Sequence, residues 1–149
     1  MKTILVPVDF SDVTGKVVDI ASALAGAFGS RIILLHIAEP EPEFAGYDPG
    51  PLSVRVVVAG DIHADQHRLE ALKQKFGGAD VLALHVQGST ADEILALAGE
   101  HDADLIVMGS HGHGALYHLL AGSVTTAILK KATCPVLVVP SDRRLSGTE

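Results

Sequence analysis

Apolar residues gather in five short runs rich in β-branched side chains: Thr3 to Val8, Arg31 to Ile37, Val81 to Val86, Leu105 to Met108 and Val136 to Val139. Continuous apolar runs of this length read as strands buried on both faces, the signature of a parallel sheet covered by helices. Between them the period becomes helical. Val17, Ile20, Ala21, Leu24 and Phe28 fall on one face, with Ser11 placed to cap that helix and Gly29 to end it. Thr90-Ala91-Asp92-Glu93 has capping-box spacing, and Ile94, Leu97 and Ala98 follow on one stripe. A last helix is predicted from Gly122-Ser123, turning Val124, Ala127 and Ile128 inward and stopping before Cys134-Pro135.

Two stretches are less regular. Glu39 to Pro51 holds four prolines, two glycines and four acidic residues, which predicts a mobile loop. Ser53 to Ala59 alternates as a strand would, but Leu69, Leu72 and Phe76 continue a helical stripe, and a proline start suits one long helix beginning near Leu52. Strands alternating with helices predict an α/β fold, a doubly wound open parallel sheet with helices on both faces. Residues 1–141 are expected to form one domain, with 142–149 a polar, frayed tail. In such sheets a ligand sits outside the carboxyl ends of the strands, where the strand order reverses.

Composition narrows the function. A chain of 149 residues with 48% apolar content is the size of one domain. It has no apolar run of about 18 residues or more, and Met1-Lys2-Thr3 leads straight into a strand, so a cytoplasmic protein with no membrane partner is expected. The single cysteine, Cys134, rules out an internal disulfide and a thiolate zinc site of the usual spacing, and reads as a buried structural thiol. The formal charge of −7 and eleven scattered basic residues leave no basic stripe for nucleic acid. An anionic nucleotide is still compatible, because amides at a helix start supply local positive potential.

The loops after the first and fourth strands carry the chemistry. The first contains Pro7-Val8-Asp9-Phe10-Ser11; the second opens Gly109-Ser110-His111-Gly112-His113-Gly114 and reaches Gly122-Ser123, giving Gly109-x2-Gly112-x9-Gly122-Ser123. The first two glycines allow backbone to approach a ribose or phosphate, and Gly122-Ser123-Val124 points amides at an anion from a helix start, with Ser123 and Thr125 adding hydroxyls. Each glycine alone reads equally as a strand end or helix start; three in one connection favour a site. Asp9 has a second reading as a turn or cap residue before the first helix.

This spacing resembles the nucleotide-binding signature of the ATP-binding branch of the universal stress protein family. Pro7-Val8-Asp9-Phe10-Ser11 resembles the family's first-strand ending, and Cys134-Pro135-Val136-Leu137-Val138-Val139 its last strand, so the likeness runs through nearly the whole chain. The resemblance implies five strands in the order 3-2-1-4-5 and a switch point between strands one and four. It places Val8 and Asp9 at the adenine, Ile37 or its neighbour along the base pocket, and Met108 and Gly109 beside base and ribose, with Pro7 also among the nucleotide-binding residues. Gly112, Gly122, Ser123, Val124 and Thr125 fall at the phosphates, and His111 and His113 are counted among the nucleotide-binding residues of the same loop. It implies ATP as ligand, with ADP or AMP as alternatives, Mg2+ or Mn2+ carried by the phosphates, and a homodimer through Val136 to Val139. Where many members carry a basic residue after the second glycine, this chain has His113, a weaker and pH-dependent phosphate partner.

The remaining histidines are read structurally. His63 and His67 lie at i,i+4 without the glutamate of a zinc-protease motif and read as a solvated helix face; His36 and His85 read as packing or hydrogen-bonded strand residues, and the role of His111, His113 and His118 together stays open. Three functions follow: an ATP-binding regulator read by an unidentified protein partner, a slow ATPase, or a nucleotide-free interaction module. Fast hydrolysis is disfavoured, since the chain lacks Gly-x4-Gly-Lys-[Ser/Thr] and the glycine loop has no lysine or arginine. A phosphoacceptor receiver is disfavoured because Gln87-Gly88 stands where an aspartate would end strand three.

Overall fold

A computed structural model describes residues 1–38, 51–110 and 123–141, with the side chains of 51–62 and 123 excepted. In chain order the described elements are β1 (Thr3–Val8), α1 (Thr14–Phe28), β2 (Arg31–Ala38), α2 (Pro51–Gln74), β3 (Val81–Gln87), α3 (Thr90–Glu100), β4 (Leu105–Gly109), α4 (Ser123–Lys131) and β5 (Val136–Val139). The strands form one parallel sheet in the order β3-β2-β1-β4-β5, as expected.

Because side chains alternate across a strand, the apolar runs feed two cores at once. Ile4, Val6 and Val8 of β1 and Ile32 and Leu34 of β2 join Val17, Val18 and Ala21 of α1 and Leu69 and Leu72 of α2 on one face. Leu5, Ile33, Leu35, Ile106 and Met108 join Ile94 and Leu97 of α3 and Ile128 of α4 on the other. β1 and β2 are thus buried on both sides, which is why their sequence shows no alternation.

The helix starts differ from expectation. α1 begins at Thr14 after Val13, which makes no side-chain cap bond, and Ser11 Oγ is buried without a hydrogen-bond partner among the described residues. The reason lies one turn earlier. The Ser11 amide donates to Asp9 Oδ1 at 3.0 Å and the Thr14 amide to the Ser11 carbonyl at 3.0 Å, so a turn closed by Asp9 precedes the helix and displaces Ser11 from the capping position. Thr90 is likewise inside α3 rather than its cap; Ser89 holds the N-cap position without a side-chain cap bond, while the Glu93 amide donates to the Ser89 carbonyl at 2.9 Å. Phe28 does not join the core either: as the last residue of α1, it is 56% exposed. Gly29 does end the helix, at φ 65°, with its amide on the Ala25 carbonyl. α2 confirms the single long helix over the alternating stretch, starting at Pro51. Cys134 is free and half-buried, packed at the margin of the α3–α4 core, which raises its thiol pKa by desolvation. The expected loop before Pro51 and the C-terminal tail lie in residues 39–50 and 142–149, outside the described residues.

Candidate functional site

The connections leaving β1 and β4 go to opposite faces. α1 follows β1 onto the face that holds Val8, and α4 packs through Ile128 on the face that holds Met108. Between these strands the registered pairing covers Ile4 with Leu105 and Leu5 with Ile106, leaving Val6 to Val8 and Val107 to Gly109 outside it. On their outer sides both strands stay paired to the end, Val8 with His36 and Gly109 with Val139. The sheet therefore opens at one place along its carboxyl edge, between β1 and β4, where the strand order reverses.

Pro7 and Val8 finish β1, with Val8 buried. Asp9 follows on the surface; its carboxylate accepts from the Ser11 amide and, at 3.5 Å, from Thr14 Oγ1. Phe10 adopts φ 60°, a left-handed conformation that costs a bulky residue about 1 kcal/mol or more and marks this turn as constrained by its surroundings. Across the opening, Met108 is buried in the α3–α4 core and Gly109 ends the strand half-buried. The Thr125 hydroxyl, in the first turn of α4, donates to the Ser110 carbonyl at 2.9 Å and shares its proton with the Gly109 carbonyl at 3.2 Å. It braces the start of α4 against the end of β4, which fixes the direction of the helix's first amides. Ser123 opens α4 and Val124 is half-buried beside it. Ile37 lies two strands from β4, half-buried on the same face as Met108. His111, Gly112, His113, His118 and Gly122 lie outside the described residues.

His36 and His85, expected as packing or hydrogen-bonded strand residues, meet each other. The register sets them side by side on β2 and β3, with ring centroids 5.0 Å apart, rings within 3° of parallel, and Nδ1 atoms 3.2 Å apart. Asp65 of α2 joins them, its Oδ2 3.8 Å from His36 Nδ1, and the Phe10 ring packs on His36 at 4.5 Å. Burial lowers the His36 pKa, against the opposing pull of the Asp65 carboxylate. No sequence signal pointed to this trio, because its three members meet only through strand register and helix placement. His63 and His67 are exposed on α2, as a solvated face requires.

A model of the universal stress protein family matches residues 1–140. This chain belongs to the universal stress protein family. It is 36% identical over 140 residues, 93% of this chain and 98% of the relative, to the universal stress protein of the QAH/OAS sulfhydrylase 3′ region of Thermus aquaticus. The solved structure of MJ0577, a universal stress protein of Methanocaldococcus jannaschii, matches with a TM-score of 0.83 at 29% identity, covering 95% of this chain and 96% of that one. A solved universal stress protein in complex with cAMP matches with a TM-score of 0.69 at 26% identity over 93% and 96% of the two chains. Among the described residues no helix is long and apolar enough to cross a membrane.

Proposed function

We propose that this universal stress protein binds an adenine nucleotide, ATP first among them, in the opening between β1 and β4, and that it acts in the cytoplasm as a nucleotide-dependent regulator. The observation that carries the reading is that opening itself: paired strands part at the reversal of strand order, with the amino end of α4 braced beside it by Thr125. The cAMP complex of a relative supports an adenine ligand. In this reading the base lies against Pro7, Val8, Asp9 and Ile37, the ribose near Met108 and Gly109, and the phosphates at Gly112, Gly122 and the amides of Ser123, Val124 and Thr125. His111 and His113 lie within that phosphate loop, and Mg2+ or Mn2+ arrives with the phosphates.

We further propose that residues 1–141 act as one domain and that two copies join through β5. That strand is a sheet edge, with Leu137 38% exposed and Val136 and Val138 half-buried, an apolar edge that pairing would cover. Calorimetric titration of ATP, ADP, AMP and cAMP, with and without Mg2+ or Mn2+, into nucleotide-stripped protein tests the main reading. Micromolar binding that Gly122→Val abolishes is expected. Absence of binding in wild type refutes it and leaves the nucleotide-free module; phosphate release accompanying binding would favour the slow ATPase.

A further inference from the structure

We propose that His36, His85 and Asp65 form a binding site for a late first-row divalent cation, zinc being the ion their donors fit. Two imidazoles and one carboxylate are the donor set of an open zinc site, in which a fourth position is left to water or an incoming ligand. Nitrogens about 2.05 Å from a tetrahedral zinc stand about 3.3 Å apart; the two Nδ1 atoms stand 3.2 Å apart. One ligand atom from each of the three residues falls within 4.8 Å of the others.

The two facing Nδ1 atoms share a single proton, so a lone pair and an N–H already meet where an ion would sit. A cation bound by both Nδ1 atoms replaces the shared proton and fixes both tautomers, leaving each Nε2 as the N–H. Directing both Nδ1 lone pairs at one ion asks the near-parallel rings to turn about χ2, the broad torsion of histidine. Asp65 has one oxygen toward His36 and the other 3.7 Å from Arg68, an exposed side chain that leaves the inner oxygen available to an ion. Neighbouring strands hold the two histidines in register, so the spacing of their Nδ1 atoms is set before any ion arrives and only the rings need turn.

The test uses the tag-free full chain, metal-stripped and without nucleotide, so its outcome is independent of the ATP reading. Zinc is titrated against a chromophoric chelator, and Co2+ binding is followed by its visible d–d bands. One equivalent is expected to bind, with tetrahedral-type Co2+ absorption and a zinc-dependent rise in Tm. Asp65→Asn and His85→Gln are each expected to weaken binding at least about tenfold, whereas the double variant His63→Ala/His67→Ala, altered only at exposed helix positions, should bind as wild type. If His85→Gln fails to fold, Asp65→Asn decides alone, because Asp65 lies at the core's margin. Unchanged affinity in Asp65→Asn, loss of binding in His63→Ala/His67→Ala, or no stoichiometric binding in wild type overturns the proposal.

Discussion

Replacing Thr125 by valine tests whether the end of β4 and the start of α4 are held by one hydroxyl. Valine keeps the shape of the side chain, which is 7% exposed, and removes only the O–H. Lost with it is the bond to the Ser110 carbonyl at 2.9 Å and its shared branch to Gly109 at 3.2 Å. A neutral hydrogen bond contributes about 1 kcal/mol net, and a carbonyl left unpaired in a partly buried place costs about 1–3 kcal/mol, so the expected loss is about 1–2 kcal/mol. For a chain of this length that is a fall in Tm of about 2–8 °C. Urea unfolding of wild type, Thr125→Val and Thr125→Ser measures it. The valine midpoint should drop with an unchanged m value, and serine, which keeps the donor, should recover most of the loss. Nucleotide affinity should weaken in Thr125→Val in the same order, since the helix amides lose their fixed direction. A valine variant within about 0.3 kcal/mol of wild type would refute the bracing role.

Leu34→Ala removes a fully buried side chain from the β2 strand and should cost about 3–4 kcal/mol in chemical denaturation, the range for cavities in rigid cores. Among the described residues Gly29→Ala meets no atom within 4 Å of the added Cβ, so an expected loss of about 1–2 kcal/mol comes from the left-handed backbone, readable as a lower urea midpoint. At Gly88 a Cβ would meet Glu93 Cγ and Oε1 at 2.8 Å, and because Cγ is near the root of that side chain Glu93 must leave its rotamer, so Gly88→Ala should cost about 0.5–1.5 kcal/mol in urea unfolding. The Asp104 carboxylate accepts the Thr3 and Lys2 amides, which hold its pKa below the ordinary value. A depressed pKa stabilises above the unfolded value and is lost as pH falls through the folded one. Asp104→Asn should therefore lower Tm at neutral pH, and the gap to wild type should close between about pH 5 and about pH 2.

The five strands were legible because each is a short apolar run: Thr3–Val8 and Val136–Val139 are found where expected, and the other three extend by one residue at their carboxyl ends. Helix starts were less so. Ser11 and Thr90 belong to the residue types that cap, but a cap depends on where the chain turns, and the Asp9 turn and Ser89 moved the boundaries. The His36–Asp65–His85 trio was illegible for a stronger reason. Strand register follows from how two apolar faces meet across the sheet, which one chain's pattern does not encode at single-residue precision.

The opening at the switch point, by contrast, has a mark in the sequence. A proline inside a central strand removes a ladder donor and is normally kept to edges, yet Pro7 lies in β1, paired on both sides. The backbone explains it. The Lys2 carbonyl accepts from Arg31 of β2 and the Thr3 carbonyl from Asp104 beside β4, so even-numbered residues of β1 address β2 and odd-numbered ones address β4. Pro7 thus directs its missing N–H toward β4, past Leu5, where the β1–β4 register has already ended. The proline forfeits no bond in this sheet, and it bars β4 from closing on β1 by one further rung. The same residue that looks out of place in a buried strand therefore keeps the carboxyl edge open where the proposed nucleotide enters.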